Sequence, residues 1–277
     1  MKIGVIGAGI MGSGIAQTFA QAEGYSVVLC DIKEEYAQAA KGKIAKTLDK
    51  MVAKEKMTKD TADKIIGKIS TGLKEAVSDC DMIIEAAAER MDIKKELFTS
   101  LQAICKKDAI FASNTSSLSI TELSAGMDRP IIGIHFFNPV PLMKLVEIVV
   151  GLDTPDDLVE KIRKISESIG KVPVVSKDDA GFIVNRLLVP LINEGVGVLA
   201  NGTASAEDID TAMKLGANHP IGPLALGDLI GLDIVLAVME VLHNQEGDPK
   251  YRPHPLLRKM VAANRLGRKT GSGFYTY

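Results

Sequence analysis

No run of apolar residues in this 277-residue chain reaches the length of a membrane span, so an integral membrane protein built on helices is not expected. Charge of one sign is also missing: 33 Lys and Arg stand against 35 Asp and Glu, a net charge of −2. Bulk electrostatics therefore give no reason to expect nucleic acid or an anionic membrane as partner, which leaves small molecules and copies of the chain itself. No basic segment precedes an apolar one at the start, where strand-forming residues begin at Lys2, so an unsorted cytoplasmic protein is expected. Cysteine is scarce, and Cys30, Cys80 and Cys105 show no C-x-x-C pairing. That excludes a disulfide framework and a zinc site with the usual spacing; the thiols are expected to be buried, in a reducing compartment, with no metal bound. Internal repeats and low-complexity tracts are absent too.

What is present begins at once. Lys2 to Ile6 form a short β-type run, followed by Gly7-Ala8-Gly9-Ile10-Met11-Gly12, a helical stretch, and Val27-Val28-Leu29-Cys30-Asp31. A lone G-x-G-x-x-G says little, but strand, glycine turn, helix, second strand and terminal carboxylate together make a dinucleotide fingerprint. Gly7 permits the tight turn, Gly9 lets the backbone approach a pyrophosphate, and Gly12 lets the helix lie close to the strand. The N–H groups at the helix start, from Ile10 and Met11 onward, offer donors to the anion. Asp31 is placed to accept hydrogen bonds from a ribose 2′-OH and to repel a 2′-phosphate, which favours NAD over NADP. Lys33, two residues on, keeps NADP open.

Short apolar strands then alternate with helical periodicity: Ser26 to Cys30, Met82 to Glu85, Ala109 to Ala112 and Ile131 to His135. This pattern predicts an α/β fold, a doubly wound Rossmann-type parallel sheet. Lys144 to Val150 follows, then a helix with Thr154 as N-cap and Pro155 at its first position, then Val172 to Val175. Beyond Gly181 the β-signal disappears. Helices are expected over 182–200, over 205–215 with the capping box Ser205-x-x-Asp208, over 224–244 with a break at Gly231, and over 256–264. The domains are thus 1–181, which binds the dinucleotide, and 182–277, smaller and all-helical. Pro190 should kink the first of these helices, while Gly195 and Gly197 allow close approach of a helix from the same chain or a partner. A helical unit of this size is marginal alone, so homodimerisation through it is expected.

Two segments end predicted strands at their carboxyl edge, where open α/β sheets bind ligands: 113–117 (Ser-Asn-Thr-Ser-Ser) and 135–141 (His-Phe-Phe-Asn-Pro-Val-Pro). His135, followed by two aromatics, would face a cleft of low dielectric and suits proton transfer; the alternative is a satisfied structural histidine. Glu147 stands in the apolar run Leu145 to Val150, where a carboxylate must find a partner or change its ionisation. Pairing it with one ring nitrogen of His135 would fix the tautomer and leave the other for a substrate proton. An edge strand with Glu147 solvated is the alternative. Ser116 as a nucleophile is disfavoured, because no G-x-S-x-G elbow surrounds it.

These motifs, with 85–89 (Glu-Ala-Ala-Ala-Glu), 182–186 (Phe-Ile-Val-Asn-Arg) and the terminal Gly271-x-Gly273-Phe274-Tyr275, run nearly end to end. In them the chain resembles the short-chain L-3-hydroxyacyl-CoA dehydrogenase family, most closely its bacterial 3-hydroxybutyryl-CoA dehydrogenases. The resemblance implies a catalytic His135–Glu147 pair, with Ser116 and Asn185 hydrogen-bonding the substrate near the reacting carbon. It implies that Asn138 contacts cofactor or substrate, that Glu89, Lys94 and Lys269 help hold NAD, and that the protein is a homodimer acting on an acyl-CoA. Nine lysines against four acids between Lys41 and Lys68 suggest an exposed helical arm that attracts the CoA phosphates, and here the family implies contact from Lys54, with Thr47 nearby. A merely solvated lysine face is the alternative. The terminal segment from Arg268 either folds back across the cofactor cleft or docks as a tail whose aromatics fill a groove.

Overall fold

Strands β1 (Lys2–Ile6), β2 (Ser26–Cys30), β3 (Ile69–Gly72), β4 (Met82–Glu85), β5 (Ile110–Ser113), β6 (Ile131–Phe136), β7 (Leu145–Val150) and β8 (Val172–Lys177) form one sheet in the order β3-β2-β1-β4-β5-β6-β7-β8. The computed structural model describes all residues from Met1 to Tyr277, which fall into two units, Met1–Asp179 and Ala180–Tyr277. The division lies two residues before the expected one.

In the first unit, α1 (Ile10–Gln21), α2 (Glu34–Ala53), α3 (Lys59–Gly67), α4 (Met91–Ile104), α5 (Ile120–Ser124) and α6 (Asp156–Ser168) cover the sheet. Most strands are buried along their length, as a sheet covered on both faces requires. One face, with Ile3, Val5, Leu29, Ile84, Ile132, Ile134 and Ile148, packs with Ile15 and Phe19 of α1 and with Ala37, Ile44 and Leu48 of α2. Each fully buried Val, Leu, Ile or Phe side chain among these contributes about 1.5–3 kcal/mol.

Several expectations need correction. The sheet is parallel only from β3 to β6; β7 runs antiparallel to β6, and β8 runs parallel to β7. The eight residues from Phe137 to Lys144 are too few for a crossover, which needs a dozen or more, so the chain must return antiparallel. The short strand β3 was not expected, because at the sheet edge it buries only Ile69 and Gly72 and has little apolar signal. Helix α6 begins at Asp156 with Pro155 as an extended N-cap, one residue later than its signals suggested. Pro155 has φ −75° but an extended ψ of 148°, so it precedes the helix and does not open it.

The second unit comprises α7 (Val184–Ala200), α8 (Ala206–Gly216), α9 (Pro223–Ile230), α10 (Leu232–Glu246) and α11 (Pro255–Ala262) around Ile192, Val196, Leu224, Met239, Leu242 and Leu257. Helix α7 starts later than Phe182, because Gly181 and Phe182 both adopt positive φ and turn the chain first. It remains one helix through Pro190. Gly195 lies against Pro223 of α9, so the close approach is to a helix of the same chain. Ser205 caps α8 by accepting from the Asp208 N–H, and Gly231 separates α9 from α10. No helix is long and apolar enough to cross a membrane.

Burial pushes the thiols of Cys30 and Cys80 up to about 12 and raises that of Cys105. Since the thiolate is the reactive form, Ellman's reagent at mildly alkaline pH should find none of the three accessible in the native protein and all three after denaturation. A fast-reacting native thiol would contradict this burial.

Candidate functional site

The turn after β1 is built as a nucleotide loop. Gly7 has φ 105°, and a Cβ there would lie 2.4 Å from the Ala86 carbonyl oxygen. A Cβ on Gly12 would stand 1.7 Å from the Gly7 carbonyl oxygen, so only glycine lets α1 sit this close to the loop. Around Gly9 nothing lies within 4 Å of the same position, and no side chain caps the start of α1. The N–H groups opening α1, those of Ile10 and Met11 among them, are thus left to an anion. Asp31, at the end of β2, accepts from the Ala8 N–H at 2.6 Å and from the Ile32 N–H at 2.8 Å. Its carboxylate is thereby fixed beside the loop with lone pairs remaining for a ribose hydroxyl. This donor and acceptor set fits a dinucleotide.

Beneath the neighbouring loop lies a buried charge network. Glu85 ends β4 with no solvent exposure, and its carboxylate accepts from Lys94 Nζ at 2.6 Å, the Ala87 N–H at 2.6 Å and Ser113 Oγ at 2.5 Å. Lys94, on α4 and 1% exposed, also reaches Glu89 at 3.2 Å. Glu89 in turn accepts from Thr115 Oγ1 at 2.7 Å and from the Ser116 N–H at 2.7 Å, with Ser116 Oγ at 3.1 Å. Burial raises the Glu89 carboxyl, yet the Lys94 charge and these hydrogen bonds outweigh it and hold Glu89 below the usual glutamate range. Lys94 therefore sits under the site, holding the acid that organises the 115–117 loop. Glu85 and Ser113 open two of the motifs noted in the sequence but had no role of their own there, although a carboxylate closing the apolar run Met82-Ile83-Ile84 is the same signal that marked Glu147.

The reversal of β7 sets His135 directly opposite Glu147 in the sheet register, so both side chains project from the same face. His135 Nδ1 and Glu147 Oε2 are 2.7 Å apart, and the two side chains are 8% and 1% exposed. Glu147 is thus not a solvated edge residue. The Phe137 ring lies 4.4 Å from the imidazole, centre to centre. Asn114 Oδ1 accepts from the Phe136 N–H at 2.9 Å, tying the loop that carries Ser116 to the end of the strand that carries His135.

Asn138 lies on the loop after β6 and lines a groove of about 360 Å³. Ile10, Gly14 and Gln17 of α1 form one side of it, and Thr47 and Met51 of α2 another. Of the arm residues expected near CoA, Thr47 reaches this groove, while Lys54 caps the exposed end of α2. In the other unit, Asn185 is the second residue of α7. Lys269 there is ion-paired with Asp233. The terminal segment docks on its own helices: Asp228 accepts from the Phe274 and Tyr275 N–H groups at 3.0 Å, and Asp210 accepts from the Tyr275 hydroxyl at 2.8 Å. This favours a docked tail for its aromatics.

The dinucleotide loop closed by Asp31 and the buried His135–Glu147 pair both lie toward the carboxyl edge of one sheet, the architecture of an NAD-binding oxidoreductase. The family model for "3-hydroxyacyl-CoA dehydrogenase, NAD binding domain" matches residues 2–179, and that for the "C-terminal domain" of the same family matches 181–277. The chain belongs to the 3-hydroxyacyl-CoA dehydrogenase family and is an oxidoreductase. It is 53% identical over 280 residues to 3-hydroxybutyryl-CoA dehydrogenase of Clostridioides difficile, covering 100% of this chain and 99% of that one. With the mitochondrial hydroxyacyl-coenzyme A dehydrogenase of Homo sapiens it shares 44% identity over 99% of this chain and 90% of that one. The crystal structure of (S)-3-hydroxybutyryl-CoA dehydrogenase from Ralstonia eutropha superposes with a TM-score of 0.96 at 48% identity, covering 100% of this chain and 98% of that one.

Gly12→Ala should abolish NADH binding measured by fluorescence titration, since the methyl group cannot coexist with the Gly7 carbonyl; retained affinity would show that the loop can yield. Lys94→Met leaves the buried Glu85 carboxylate uncompensated and should destabilise the protein by about 3–5 kcal/mol in denaturant unfolding. Because Glu89 ionises below its ordinary range when folded, the stability it contributes is present above about pH 4.3 and is lost as pH falls through the folded value. Wild type should accordingly lose more thermal stability on acidification through that window than Glu89→Gln.

Proposed function

We propose that the protein interconverts (S)-3-hydroxybutyryl-CoA and acetoacetyl-CoA with NAD as cofactor, His135 acting as general base in oxidation and general acid in reduction. The observation that carries this reading is the buried 2.7 Å contact between His135 Nδ1 and Glu147 Oε2. A carboxylate on Nδ1 favours the tautomer with its proton there, so that Nε2 takes the hydroxyl proton of the substrate and the adjacent negative charge stabilises the resulting imidazolium. NAD, when bound, supplies the hydride acceptor. Gly7, Gly9, Gly12 and the first N–H groups of α1, from Ile10 and Met11, hold its pyrophosphate, Asp31 its ribose, and Glu89 and Lys269 assist.

Ser116 and Asn185 serve as neutral donors that steady the developing oxyanion. Lys94 acts through Glu89, as a positioning residue. Asn138 and Thr47 contact the substrate along the groove, with Lys54 attracting the CoA phosphates at the end of the arm. The relatives described above are named for this substrate class, and their similarity over the whole chain supports extending it here. Asp31 disfavours a 2′-phosphate, so NAD is preferred to NADP. The chain is a homodimer through its helical unit, a reading supported by the exposed Leu187, Leu229 and Ile234 in that unit.

The test follows nicotinamide absorbance with acetoacetyl-CoA and either NADH or NADPH. Turnover with NADH should exceed that with NADPH, and His135→Ala should lower kcat by ~10²–10⁴-fold while NADH binding persists. Equal turnover in the variant would remove His135 from the chemistry. Faster turnover with NADPH would reverse the cofactor assignment.

A further inference from the structure

Lys171 is a buried cation without a counter-charge. It follows Gly170, at the turn from α6 into β8, and is 7% exposed. Its ammonium donates to two main-chain carbonyls, those of Val140 at 2.5 Å and Met143 at 2.7 Å, and it makes no ion pair. Burial lowers its pKa below the ordinary lysine range. A lysine held this way costs desolvation that no carboxylate offsets, so what it does for the two carbonyls must justify its place.

Both carbonyls belong to the loop that joins β6 to β7. One side of that loop, through Asn138 and Val140, lines the groove described above. Its other side meets a second cavity of about 290 Å³, lined by Thr18, Lys144, Ser168 and Lys171. Gln21, Pro141 and Leu142 border both hollows. The loop is therefore a partition between two spaces and lacks the continuous packing that normally fixes a wall. Its internal support is slight: the Leu142 and Met143 N–H groups both donate to the Pro139 carbonyl at 3.0 Å. Val140 is its one buried anchor, set against Gly14 of α1.

We propose that Lys171 is a positioning residue that braces this partition and so sets the width of the acyl-CoA groove. Two charge-assisted hydrogen bonds supply the rigidity that packing does not. The effect falls on the thioester substrate, because the braced segment lines the groove, while the dinucleotide loop is fixed independently through Gly7, Gly12 and Asp31. This inference rests on assigning the groove to acyl-CoA, and its first test does not depend on that assignment.

Hydrogen exchange of the Leu142 and Met143 amides should be at least tenfold faster in Lys171→Met than in wild type, with exchange in β1 and α1 unchanged. Should that variant not fold, Lys171→Arg, which keeps a cation there, is expected to show intermediate protection. Unchanged exchange would overturn the bracing role whatever the substrate. In steady-state assays Lys171→Met should raise KM for acetoacetyl-CoA roughly tenfold, a loss of about 1.4 kcal/mol, and leave KM for NADH within twofold. A parallel rise in both constants, or a fall in kcat alone, would overturn the link to the groove. Ethylammonium, small enough for the second cavity, should restore the KM of Lys171→Ala in part; a merely structural loss would not respond.

Discussion

The antiparallel return of β7 beside β6 is the constraint on which the site depends. It aligns His135 with Glu147 on adjacent strands, and sheet hydrogen bonding holds their backbones in register before either side chain contributes. Had the chain crossed over, the carboxylate would enter the sheet from another direction. The same reversal brings the starts of β7 and β8 to the edge where β1 to β6 end. Lys171 consequently stands within reach of the loop after β6.

Around that pair the protein concentrates charge where water cannot screen it. Glu85, Lys94, His135, Glu147 and Lys171 are all nearly inaccessible, and each is satisfied by a specific partner. Such groups contribute little net stability compared with apolar residues of similar volume, because desolvation offsets most of the attraction. What they provide here is position. Glu85 and Lys94 fix Glu89, and Glu89 fixes the backbone of Ser116. Asn114 then couples that loop to the strand end carrying His135.

Much of this was legible beforehand, and for identifiable reasons. β1, β2 and β4 begin and end where the apolar runs do, and the fingerprint glycines show the steric need that their spacing implied. Glu147 was found because a carboxylate in an apolar strand is an energetic anomaly visible in one dimension. Glu85 carries the same anomaly at a strand end, where a carboxylate can also pass for a solvated terminus. Lys171 gave no such signal, since a lysine after a helix-ending glycine is ordinary. β3 was hidden by its shortness and polarity.

The sequence by itself determined the strand and helix periods, the dinucleotide turn, the change to an all-helical second unit and the presence of an out-of-place acid, because each is a local property of spacing or burial preference. Only the tertiary structure decided that β7 reverses, that Glu147 meets Nδ1 of His135, that Lys94 lies beneath Glu89, and that Lys171 reaches the carbonyls of a loop about thirty residues earlier. Those contacts join segments far apart along the chain, and their partners are chosen by sheet order and burial, which no local pattern encodes.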